Sequence, residues 1–238
     1  MMVKPVGYLQ QYSDRWEGER GSYYDYLLGS NGLFIQAEGK LLAAQIPVAE
    51  CEVRGLAPLK PWVILRHGRI PQRCFDLALN YFLADTSRER YVAVTWNEGY
   101  HLYAPVQTGE HARVQYETGE SVILDLHSHG EMKAWFSTQD NHDEQGLRLY
   151  GVVGKLGEIP VVRLRVGVYG YHSPIAWGDV FDGLLTGAVE SETVKEVIDD
   201  DELYGELEGQ PGGSKNRGGW LWRHRWFRRR RSVPATGE

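Results

Sequence analysis

The run LDLHSHGEMKAWFSTQD places His127 and His129 two residues apart and follows them with Ser137 and Asp140. Residues two apart on a strand point to the same side. A strand through this run therefore presents both imidazoles together with Ile123 and Asp125, and turns Leu124, Leu126 and Ser128 the other way. Two imidazoles and one carboxylate are a standard donor set for a catalytic zinc, which takes about three protein ligands and keeps a position open for water. Gly130 lets the backbone leave the strand, so that the following loop returns Asp140 to the metal as the third ligand. Asp125, on the histidine side, either orients an imidazole or contacts solvent.

Each part also has an explanation without a metal. His-x-His pairs arise by accident on surface strands. Ser137-x-x-Asp140 is a complete capping box, with Ser at a helix N-cap and an acidic residue three positions on. The two readings of Ser137 and Asp140 are compatible, because a helix N-terminus can fix a carboxylate that faces a metal. Other candidates are weaker. His142 and Asp143 more simply cap a helix or face water, and His67, His101, His111 and His172 have no metal-ligand spacing.

The elements that must position these residues follow from pattern. Short apolar runs between Gly32 and Leu65 (LFIQA, KLLAAQIPV, WVILR), separated by Gly and Pro, have the texture of strands and turns, so residues 1–69 are read as a β-rich N-terminal portion. PQRCFDLALNYFLAD, from Pro71, places Cys74, Leu77, Ala78, Tyr81 and Phe82 on one face of a helix, with Pro71 in its first turn. Three strands follow: RYVAVTW, YHLYAP and the histidine run, the first two joined by an Asn-Glu-Gly hairpin turn. LRLYGVVG and VVRLRVGVYG predict two more, and the folded part is expected to end near Phe181.

With only Cys51 and Cys74, the chain has too few cysteines for a disulfide framework or an all-cysteine zinc site, so a metal must be held by His and carboxylate. Neither an N-terminal apolar segment nor a run long enough for a membrane span is present, and the expectation is a cytoplasmic protein. A formal net charge of −6 argues against a wholly nucleic-acid-coating protein. Residues 182–238 are expected to be a largely disordered tail, acidic from Glu190 to Glu208 and then basic and aromatic in WLWRHRWFRRRR. That tail is open to three uses: contact with nucleic acid, contact with an anionic membrane surface, or folding back on the acidic stretch.

The spacing His127-x-His129, seven residues, Ser137, two residues, Asp140 resembles the full signature of the JAMM metallopeptidases of the JAB/MPN family. The words DLHSHG, AWFSTQD and YGVVGKLG are similar to the JAB proteins of PRTRC plasmid cassettes, a bacterial branch. The resemblance covers residues 70–181 and implies a JAB/MPN-like (cytidine-deaminase-like) α/β sandwich with a mixed sheet. It also implies Zn2+ on His127, His129 and Asp140, Ser137 as a donor to the oxyanion, and an upstream glutamate as general base. The family places that glutamate after the first helix, at the start of the next strand, where Glu89 stands; Glu98 is the reserve candidate. Many relatives follow it with a Gly-containing apolar motif, whereas here the chain reads Arg-Tyr-Val-Ala-Val.

The activity so implied is hydrolysis of a peptide or isopeptide bond, at the C-terminus of a ubiquitin-like protein, with a ThiF/E1-like cassette protein as a further partner. Two rivals stand beside it: a non-catalytic MPN scaffold that joins protein partners or DNA, and a metal-dependent nuclease.

Overall fold

In a computed structural model, residues 4–105 and 121–191 are described. The acidic and basic-aromatic stretches from residue 192 onward, and His111 in the connection 106–120, lie outside the described residues. Six strands form the first sheet: β1 (Val6–Gln11), β2 (Trp16–Glu19), β3 (Tyr24–Gly29), β4 (Gly32–Glu38), β5 (Leu42–Ala49) and β6 (Trp62–Leu65), in the order β2-β1-β3-β4-β5-β6. All its pairings are antiparallel except β1 with β3. The helix α1 (Gln72–Leu83) then leads into β7 (Arg90–Trp96), β8 (Tyr100–Tyr103) and β9 (Val122–Ser128). After the short helix α2 (Thr138–Asp143) come β10 (Arg148–Gly154), β11 (Val161–Val168), β12 (Tyr171–Pro174), α3 (Trp177–Val180) and β13 (Val189–Glu190). The second sheet runs β12-β11-β10-β9-β7-β8, with β13 also on β11; β9 and β10 are parallel, as are β11 and β13. The protein is thus mixed α/β with two mixed sheets, and the described fold continues past Phe181 to β13.

Strand alternation sorts the second sheet into two unlike faces. Val92 and Val94 of β7, Leu124 and Leu126 of β9, Leu149 and Val153 of β10, and Leu164 and Val166 of β11 lie in register and are buried. A Cβ at Gly151, in the middle of this face, would stand 2.4 Å from Leu126 Cδ2 and 2.9 Å from Leu164 Cδ2, so a side chain there would have to displace both leucine tips. This apolar face joins α1 and the buried Ile35, Ala37, Leu42, Ala44 and Ile46 of the first sheet in one cluster. The opposite face of the first sheet has a small core of its own: Leu9, Leu27, Phe34 and Leu59.

The helix buries Cys74, Ala78 and Phe82 as its sequence predicts, but the rest of its buried face is shifted to one side. Cys74, Phe75, Ala78, Leu79 and Phe82 point inward, whereas Leu77 is 56% exposed and Tyr81 only half-buried. Period alone leaves two overlapping stripes open. The choice falls to Phe75, which packs edge-on against Trp177 and Phe181 from the C-terminal side of the domain. Pro71 is the N-cap rather than a first-turn residue, and the backbone N–H of Gln72 is taken by Asp182 Oδ1. No helix among the described residues is long and apolar enough to cross a membrane.

Phe75→Ala is therefore expected to cost about 3–5 kcal/mol in chemical denaturation, the usual price of emptying a packed aromatic site. Leu77→Ala should stay within about 0.5 kcal/mol of wild type.

Candidate metal centre

The second face of the sheet is polar. Tyr91, Asp125, His127, Arg148, Tyr150 and Arg165 share it by register: Tyr91 lies opposite His127, Tyr150 opposite both Asp125 and Arg165. At one end of this face the backbone brings the predicted ligands together. His127 is the penultimate residue of β9, and His129 lies just beyond the strand, held by its N–H to the Val153 carbonyl at 2.9 Å. Gly130 then takes φ +57, where a Cβ would stand 2.5 Å from the Thr86 carbonyl. The chain turns away there and returns through Ser137 to α2.

His127 Nε2 lies 3.2 Å from His129 Nε2 and 3.7 Å from Asp140 Oδ1, and one ligand atom from each of the three residues falls within 4.8 Å of the others. The donor chemistry fits a metal. His129 Nδ1 is 3.3 Å from the Lys133 carbonyl, which can only accept, so Nδ1 carries the proton and Nε2 is left with its lone pair toward the cluster. Burial, with smaller contributions from neighbouring charges, holds His127 down to about 4, in the neutral form that ligates metals. Asp140 Oδ2 accepts from the Ser137 backbone N–H (2.6 Å) and hydroxyl (2.7 Å), while Ser137 Oγ accepts from Asp140 N–H at 3.1 Å. This is the predicted capping box, and it leaves Oδ1 as the oxygen that faces the histidines.

The β7–β9 register brings one of the two candidate glutamates to the histidines. Arg90 pairs with Ser128, whose hydroxyl accepts the Arg90 N–H at 3.0 Å, so one step further Glu89 stands opposite His129. Glu89 Oε1 lies 3.9 Å from His129 Nε2, with its side chain 63% exposed. Glu98 sits in the β7–β8 turn, beyond Trp96, at the far end of the strand from Arg90. At about 3.3 Å per residue that is more than 20 Å from the cluster. A cleft of about 400 Å³ opens beside Glu89 and His129, with Thr86, Arg88, Glu131 and Met132 on its walls.

Other expectations resolve differently. Asp125 neither orients an imidazole nor meets solvent: it is buried, and its carboxylate accepts from Tyr91 Oη and from Arg148 Nη1, the latter at 2.7 Å. The Lys133 carbonyl performs the orienting role instead. His142 is exposed beside Asp143. His67 stacks on Trp96, and His172 Nε2 lies 3.1 Å from the Glu144 carbonyl. Among the described residues, the three predicted ligands form the one metal-competent group of His, Cys, Asp and Glu. The sequence reading missed Trp135, half-exposed with its ring 5.9 Å from that of His129, and the buried Arg165. The alternating arginines of VVRLRVGV were the available signal for Arg165.

A family model of prokaryotic homologs of the JAB domain matches residues 74–166. That stretch of the chain is similar to the prokaryotic JAB domain. The matched JAB segment starts in α1 and ends in β11, so it contains all three candidate ligands, Ser137 and Glu89. No curated protein and no solved structure matches the chain.

Because His127 titrates lower in the folded protein than in an unfolded chain, the unfolded state binds more protons between the two values. Its contribution is complete above about 6.5 and is lost as pH falls towards about 4. Chelator-treated protein should lose on the order of 3 kcal/mol between those limits, read by denaturant melts. His127→Gln should flatten that dependence.

Proposed function

We propose that this protein is a zinc-dependent JAMM-type peptidase that hydrolyses a peptide or isopeptide bond. The observation that carries the reading is the convergence of His127, His129 and Asp140 with the Glu89 carboxylate 3.9 Å from His129 Nε2. A zinc ion on the three ligands supplies Lewis-acid polarisation of a carbonyl and lowers the pKa of water towards about 7. Glu89, on the open side beside the cleft, takes the proton of the attacking water and delivers it to the leaving amine. Its exposure suits a group that must meet both water and substrate.

Ser137 donates a hydrogen bond to the carbonyl oxygen as charge develops there. In the resting arrangement its hydroxyl proton goes to Asp140. Redirecting it leaves Asp140 Oδ2 with the Ser137 backbone N–H, so the ligand stays fixed while the hydroxyl changes partner. The cleft walls add Arg88, Glu131 and the exposed Met132 as surfaces for a polypeptide chain.

The proposed substrate is the C-terminal tail of a ubiquitin-like protein or its conjugate, in a cytoplasmic PRTRC-type cassette with a ThiF/E1-like partner. This rests on the words DLHSHG, AWFSTQD and YGVVGKLG, and the free cysteines Cys51 and Cys74 suit a reducing compartment. Contact of the Arg-rich tail with nucleic acid is a separate proposal resting on its composition alone.

Elemental mass spectrometry should find about one zinc per wild-type chain and none in His129→Ala. Glu89→Gln should keep the zinc and lose at least about a hundredfold in hydrolysis of ubiquitin-like C-terminal fusions. Wild type without zinc after reconstitution, or Glu89→Gln as active as wild type, would sink the peptidase reading and favour the non-catalytic scaffold.

A further inference from the structure

The helix that carries Asp140 has no apolar anchor. α2 is six residues long and none of them is buried, so hydrophobic packing cannot set its place on the sheet. A metal ligand must nevertheless be held to a fraction of an ångström, which requires some other restraint.

Arg165 supplies one. It rises from β11 on the polar face, in register with Tyr150 on one side and Pro174 on the other, and is only 7% exposed. Its Nη1 donates to Asn141 Oδ1 at 2.6 Å, and its Nε donates to Glu144 Oε2 at 2.8 Å, with Nη2 on the same oxygen. The guanidinium plane lies over the Phe136 ring, 3.7 Å from its centre. These partners bracket Asp140 in sequence: Phe136 precedes the N-cap Ser137, Asn141 follows Asp140, and Glu144 is the C-cap. One side chain thus grips the segment ahead of the ligand, the turn that holds it and the turn after it. On this helix His172 meets Glu144, its carbonyl at 3.1 Å and its carboxylate at 3.8 Å, at the C-terminal end.

We infer that Arg165 is a positioning residue of the metal centre, fixing α2 through Phe136, Asn141 and Glu144 so that Asp140 meets His127 and His129. The inference rests on the reading of those three residues as metal ligands. A planar guanidinium is needed, because it donates along several edges while its face covers an aromatic ring; an ammonium at this place keeps the charge but not the fork or the stack.

The test is zinc affinity of the full chain, by competition with a chromophoric chelator, together with the visible spectrum of the cobalt(II)-loaded protein and the melting of the metal-free form. Arg165→Lys should bind zinc about 10–100-fold more weakly, the usual effect of removing a partner that orients a ligand. The double variant Arg165→Met/Glu144→Met removes both charges together, so that no buried charge is left unpaired. It should melt cooperatively like wild type, yet show the same loss of affinity and an altered cobalt spectrum. A folded double variant with wild-type affinity and spectrum overturns the inference while leaving the metal centre standing. If the double variant does not fold, Arg165→Lys decides, and wild-type affinity there overturns it equally. Wild type that takes up neither zinc nor cobalt overturns the metal reading and this inference with it.

Discussion

The arrangement of the site depends on one register: β7 against β9, with Tyr91 opposite His127 and Arg90 opposite Ser128. Because side chains alternate along a strand, a slip of one residue would turn His127 into the apolar cluster and Leu126 onto the polar face. Burial on the apolar side prevents the slip. Val92, Val94, Leu124 and Leu126 are almost fully enclosed, each worth about 1.5–3 kcal/mol when removed from water. The Ser128 hydroxyl then meets the Arg90 N–H where the pairing ends, which brings Glu89 to His129.

The polar face carries the opposite physical problem, since ionised groups there lie partly out of water. Asp125 with Arg148 and Tyr91, and Glu144 with Arg165, answer it by pairing. Burial still works against the charges, pushing Glu144 up and Arg165 down, each opposed by the attraction of the other. Among the described residues no buried side-chain nitrogen or oxygen lacks a hydrogen-bond partner. Such networks add little net stability, but they allow only one arrangement of the groups they join. That rigidity is what a ligand set needs, and here it lies directly behind the three candidate ligands.

Legibility in the sequence followed the range of the interactions. The strands from Gly32 to Val168 and the capping box were readable because period and capping are local. The helix face was not: 74, 75, 78, 79, 82 and 74, 77, 78, 81, 82 are both helical stripes, and Phe181, over a hundred residues away, selects the first. Asp125 was misread for a similar reason. Its side of the strand was legible, but its partners come from β7 and β10. The two short strands after Val168, β12 and β13, carry too few residues for a pattern and form as edge pairings on β11.

By itself the sequence determined the chemistry on offer: two imidazoles on one side of a strand, a carboxylate at the start of a helix, and the serine that caps it. Those are consequences of spacings of two and three residues, within reach of single-strand and single-turn geometry. Tertiary structure alone decided which glutamate joins them, which nitrogen of His129 keeps its lone pair, and which arginine holds the helix in place. Each of these depends on atoms brought within hydrogen-bonding reach by sheet register or by a loop returning to it, and no local pattern encodes that distance.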